Sequence, residues 1–134
     1  MRILQVCPYD ISRPGGVQQH VQSLAQALRA RGHEVMILSP GRQRSEEALE
    51  LRAGYMKKIS FGGTAFEISY LSKAERGRIG GWMQAWKPDA VHFHTLWSPF
   101  LCWQVFRLTR VARIATFHDT PAPGFAGSIL RSIF

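Results

Sequence analysis

Most of the chemistry this sequence can offer lies in five histidines and one glycine pair. Pro14-Gly15-Gly16 stands directly before a stretch patterned as a helix. A residue without a side chain lets a ligand approach the backbone, and the first N–H groups of a helix attract phosphate oxygens. The same turn could equally be a helix start that binds nothing, since two glycines before a helix are a weak signal. His118 closes a strand-like run beside Asp119 and a Pro/Gly loop, which makes it the best placed histidine. Its plain alternative is a loop histidine held by hydrogen bonds. His92 and His94 are two apart on a strand and so face one side, and with His118 they could be drawn as zinc ligands. Packed strand histidines are the stronger reading, because no further acid or cysteine completes a ligand set, so no metal is expected. His20 and His33 read as structural or exposed.

Several familiar chemistries are missing. The sequence has neither G-x-x-x-x-G-K-[ST] nor G-x-G-x-x-G. Its second strand ends in Ser39-Pro40 where a dinucleotide-binding domain places an acid, and Glu34 lies at the opposite end. Hydride transfer is argued against. G-x-S-x-G is absent, and Cys7 and Cys102 lie in no nucleophile motif. With no export-like start, the two cysteines read as free thiols in a cytoplasmic protein.

The elements that must position these residues follow from periodicity. Residues 2–7 are mostly apolar and stop at Pro8, as a buried strand would. Val17, Val21, Leu24, Ala25 and Leu28 recur at helical spacing; Arg29 and Arg31 suit the last turn and Gly32 the position beyond it. Residues 34–38 form a second strand, giving a βαβ unit with parallel strands. A short helix is expected around Glu46–Leu51, strands at Lys58–Phe61 and Ala65–Leu71, and a helix over Ser72–Trp86 that Gly77, Gly80 and Gly81 weaken. Asp89–His94 is a strand, Pro99–Arg110 a helix and Arg113–His118 a strand. Thr120–Gly124 is a loop, and Ser128–Phe134 looks like a helix beginning. The fold class is α/β, a doubly wound, mostly parallel Rossmann-like sheet.

At 134 residues and 46% hydrophobic, the chain fits one domain with its own core. No apolar run approaches the roughly 20 residues needed to span a bilayer. The apolar closing segment suggests a truncated domain, 1–134, with a further domain beyond it. The formal net charge is +8, but the bases are scattered, and no zinc-finger or aromatic RNA-binding signature accompanies them. Nucleic acid is therefore not the expected partner; an anionic membrane surface or a phosphate-bearing ligand is left open. The apolar stretch Trp97–Leu108 reads as a buried helix, with an interfacial membrane helix as its alternative.

In an open α/β sheet, ligands sit at the carboxyl ends of the strands. There the segments Pro8–Gly16, His94-Thr95 and His118-Asp119 would share one rim. Val6-Cys7-Pro8-Tyr9, Pro14-Gly15-Gly16-Val17-Gln18-Gln19-His20-Val21 and Gly32-His33-Glu34-Val35 together resemble the start of family-4 retaining glycosyltransferases of the GT-B fold. Asp89–His94 and Ala115–His118 look like later strands of that family, in the same order.

The resemblance implies two Rossmann-like domains across a cleft, this one on the acceptor side and the missing C-terminal one holding a nucleotide-sugar. It implies Gly15 and Gly16 at the donor diphosphate, Tyr9 and Gln18 as further substrate-binding residues, and His118 as the catalytic candidate near the transferred sugar. It also implies that no metal is needed. Preoriented N–H donors would stabilise the charge gained by a leaving diphosphate. The first block is most similar to members that use an inositol phospholipid. Ser12, Trp97 and Pro123 replace an acid, an asparagine and a lysine that help to hold that acceptor, so the acceptor does not carry over. A stand-alone, non-catalytic binding module is the alternative function.

Overall fold

Ile3 and Gln5 alternate with Leu4 and Val6, so β1 (Arg2–Val6) presents bulky side chains on both faces and must lie inside a sheet. The computed structural model describes residues 1–41, 49–61, 64–96 and 100–118. In it β1 is the central strand, flanked in parallel by β2 (Glu34–Ser39) and β6 (Ala90–His94). Short β3 (Glu50–Arg52) extends the sheet beyond β2, and β7 (Ala112–Thr116) extends it beyond β6, giving the order β3-β2-β1-β6-β7. Every pairing in this sheet is parallel. The expected doubly wound α/β fold is the one observed.

Helices cover both faces. α1 (Gly16–Ala30) buries Val21 and Ala25 against Ile3, Cys7, Val35 and Ile37. Its end follows from composition: Arg29 lies in the last turn, and Gly32 takes a φ of 83°, a left-handed position suited to glycine. On the other face, α2 (Lys73–Trp86) and α3 (Leu101–Leu108) place Ile79, Met83, Leu101 and Val105 on Leu4, Val6, Leu38, Val91 and Phe93. α3 is therefore a core helix along its buried side, and no helix among the described residues is long and apolar enough to cross a membrane.

α2 forms despite its three glycines. The Ser72 hydroxyl accepts the Glu75 N–H, and the Glu75 carboxylate accepts the Ser72 N–H, a reciprocal cap. That cap, with Ile79 and Met83 buried, outweighs about 1 kcal/mol per glycine.

Two local expectations are corrected. Glu50 and Leu51 are not helical: they pair with Ile37 and Leu38 as β3, because the open edge of β2 offers backbone partners that a short helix would lack. The first middle strand begins three residues earlier than expected and the second is shifted by one residue; they form an antiparallel hairpin, β4 (Tyr55–Phe61) with β5 (Thr64–Tyr70), separate from the main sheet. The expected loop at 120–124 and helix start at 128–134 lie outside the described residues. Both cysteines are free thiols, as expected, and both are buried.

Candidate functional site

The chain leaves β3, passes through the hairpin and α2, and re-enters the sheet on the far side of β1 as β6. Strand order therefore reverses between β1 and β6, the kind of position at whose carboxyl ends open α/β sheets bind ligands. Val6 pairs with Phe93 and His94 with Thr116, so the three strands end nearly level.

α1 begins at this rim. Its cap residue Gly15 is extended, with φ 175° and ψ 151°, and no side chain caps the helix. The first i→i−4 bond runs from the Gln19 N–H to the Gly15 carbonyl at 2.9 Å. The amides of Gly16, Val17 and Gln18 precede that bond and lie outside the helical ladder. Neither Gly15 nor Gly16 has left-handed torsions, so backbone geometry does not demand glycine here. A Cβ on Gly16 would meet nothing within 4 Å, whereas one on Gly15 would run into the Gln18 side-chain amide. Gly16 thus presents open space beside free N–H donors, and half-buried Gln18 folds back over the cap.

Four histidines meet beside that helix start. His94 Nδ1 lies 3.1 Å from His118 Nε2, and the two rings stack with centroids 5.4 Å apart. His20 stands edge-on to both, at 5.8 Å from His94 and 5.0 Å from His118. His92 lies against His94 at 4.3 Å, and its Nε2 bonds the Thr116 hydroxyl at 2.8 Å. Periodicity explains the convergence: His92 and His94 face the α1 side of the sheet, and His20 is one helical turn beyond Gly16. His20, expected to be structural or exposed, stands at the rim, as its i+4 spacing from Gly16 indicates. The ligand atoms of His20, His94 and His118 all lie within 4.8 Å of one another. His20, rather than the expected His92, completes the trio with His94 and His118.

Burial controls the charge of this cluster. His94 is fully buried, and desolvation, followed by His92, His118 and His20, pulls its pKa down to about 3. His92 is lowered by burial first, then by His20 and His118. His94 is therefore a neutral imidazole at pH 7, and its Nε2 has no hydrogen-bond partner among the described residues. Thr95, which follows it, is a β-branched residue held at φ 54°, a strained conformation of the kind that gathers at functional sites. Gln5, paired in register with His92, is wholly buried, and neither of its side-chain amide atoms has a partner among the described residues.

Tyr9 is half-buried and packs against the α1-side core, next to the rim. Beyond it, Asp10 accepts hydrogen bonds from the Ser12 N–H and hydroxyl and lies 3.8 Å from the Arg52 guanidinium. Asp10 and Arg52 border a cavity of about 460 Å³, lined also by Arg13, Tyr55 and Glu75. Asp10 and Arg52 were not legible as site residues, because only β3 and the hairpin bring them together. Asp119, Trp97 and Pro123 lie outside the described residues.

The likenesses to known proteins agree with this geometry. The family model "Glycosyltransferase Family 4" matches residues 14–133. A phosphatidyl-myo-inositol mannosyltransferase of Mycobacterium leprae is 31% identical over 99% of this chain, which covers 36% of that protein. One from Propionibacterium freudenreichii is 33% identical over 97% of the chain and 37% of its own length. The chain thus spans little more than a third of these relatives. A solved glycosyltransferase from Rickettsia africae shares the fold, with a TM-score of 0.54 and 22% identity over 87% of this chain and 29% of its own. With a strand order that reverses at β1/β6, a glycine-led helix at the rim and a family match over nearly the whole sequence, the chain belongs to Glycosyltransferase Family 4.

Proposed function

We propose that this chain is the acceptor-side domain of a retaining glycosyltransferase of the GT-B kind, which moves a hexosyl, mannosyl-like group from a nucleotide-sugar to an acceptor. The observation that carries the reading is the meeting of the uncapped α1 start with His94 and His118 at the β1/β6 reversal. The amides from Gly16 onward would receive the diphosphate as it leaves. Charge grows on that group in the transition state, and fixed N–H donors stabilise it without reorganisation. His118, with one ring nitrogen turned to His94, would present its other edge to the sugar or acceptor. Tyr9 would shape the acceptor pocket and Gln18 the diphosphate side.

In this reading the transfer step uses no metal. Mg²⁺ on a diphosphate prefers oxygen ligands, and the side chains gathered beside Gly16 are imidazoles. The catalytic partner would be a second, donor-holding domain of the same protein. A basic chain of net charge +8 suits peripheral contact with an anionic membrane on its cytoplasmic side, which added salt would weaken.

The test joins gene reading to assay. The reading frame beyond the Phe134 codon is expected to encode a second α/β domain, and that full product is expected to transfer sugar from a GDP- or UDP-sugar with retained anomeric configuration. His118→Ala is expected to abolish transfer, while calorimetry on the 134-residue chain alone shows only weak sugar-nucleotide binding. A natural stop codon, or a full product inert toward every GDP- and UDP-sugar tried, would leave a non-catalytic binding module.

A further inference from the structure

We propose that His20, His94 and His118 form a binding site for a borderline divalent transition-metal ion of the Zn²⁺ class. Three imidazoles are a donor set suited to such ions and poorly suited to Mg²⁺ or Ca²⁺. The geometry is close to what the ion needs. Zn–N bonds of about 2.0–2.1 Å in a tetrahedron put ligand nitrogens roughly 3.3–3.4 Å apart. The His94–His118 nitrogen pair is already at 3.1 Å, and the His20 ligand atom is within 4.8 Å of both, a gap that rotation of an exposed side chain closes.

The three ligands come from three separate elements. His94 is fixed at the carboxyl end of β6, His118 follows β7, and His20 rides on α1. The His94 ring is fully buried, so the nitrogen that it turns to His118 is held in place. His92 is not a ligand; its bond to Thr116 holds it beside the cluster. Three protein ligands leave a fourth tetrahedral position for water. The inference needs no transferase activity, because binding is read directly.

The experiment titrates the EDTA-stripped, desalted chain with Zn²⁺ by calorimetry and with Co²⁺ by visible absorption. One Zn²⁺ per chain is expected, together with Co²⁺ bands of tetrahedral intensity that Zn²⁺ removes. His20→Gln, on an exposed helix position that glutamine suits, is expected to weaken Zn²⁺ binding by at least about tenfold with unchanged circular dichroism. His33→Gln, beside the N-terminal amine at the other end of the sheet, is expected to leave it unchanged. No saturable Zn²⁺ binding, an affinity indifferent to His20→Gln, or equal binding of Mg²⁺ would each overturn the site.

Discussion

Acid should unfold this protein through His94, and the size of the effect follows from its burial. In the unfolded chain the imidazole titrates near 6.5, whereas in the folded protein its pKa falls to about 3. Between those values the unfolded state binds a proton that the folded state refuses, so stability declines as pH falls. Nothing is lost above the unfolded pKa, and the loss levels off below the folded one. From pH 7.5 to pH 5.5 this single group should remove about 1 kcal/mol, or roughly 3–5 °C of Tm for a domain of this size. His92, lowered chiefly by burial, adds to the slope with the same sign. Urea melts at the two pH values, with EDTA present, should show the loss in the wild-type chain. His94→Gln, which cannot take up that proton, should show a drop smaller by about 1 kcal/mol, whatever its stability at neutral pH. A variant with the wild-type slope would refute the reasoning, since another group would then carry the linkage.

Gly16→Val in the full gene product should lower kcat by about 10²–10³ with circular dichroism unchanged. Its Cβ meets nothing in the fold but enters the space before the free amides, and near-normal kcat in steady-state kinetics would reduce the turn to a helix start. Glu75→Gln should destabilise the domain by about 2 kcal/mol in urea melts, because a carboxylate accepting from the Gly54 N–H, the Ser72 N–H and the Ser72 hydroxyl becomes an amide with only one acceptor oxygen. Burial raises the pKa of that carboxyl, but the bonds from Ser72 and Gly54 outweigh it and the net shift is downward. Its contribution should therefore fade only as pH falls through that lowered pKa.

Local periodicity determined the elements whose partners lie close in sequence. Val21 and Ala25 one turn apart, Gly32 past the last turn and alternating apolar residues in β1 each fix a conformation by themselves, so the first βαβ unit was legible in outline. The rim was legible too, because parallel strands bring their carboxyl ends to one side whatever lies between them. Only the tertiary structure decided Glu50 and Leu51, whose β conformation exists because β2 offers them an edge. It also decided the histidines. Each is unremarkable in its own segment, and the stacking of His94 on His118 with His20 across both depends on how α1 lies over β6 and β7. The depressed pKa of His94 has the same origin, since desolvation and neighbouring charge are properties of packed space rather than of chain order.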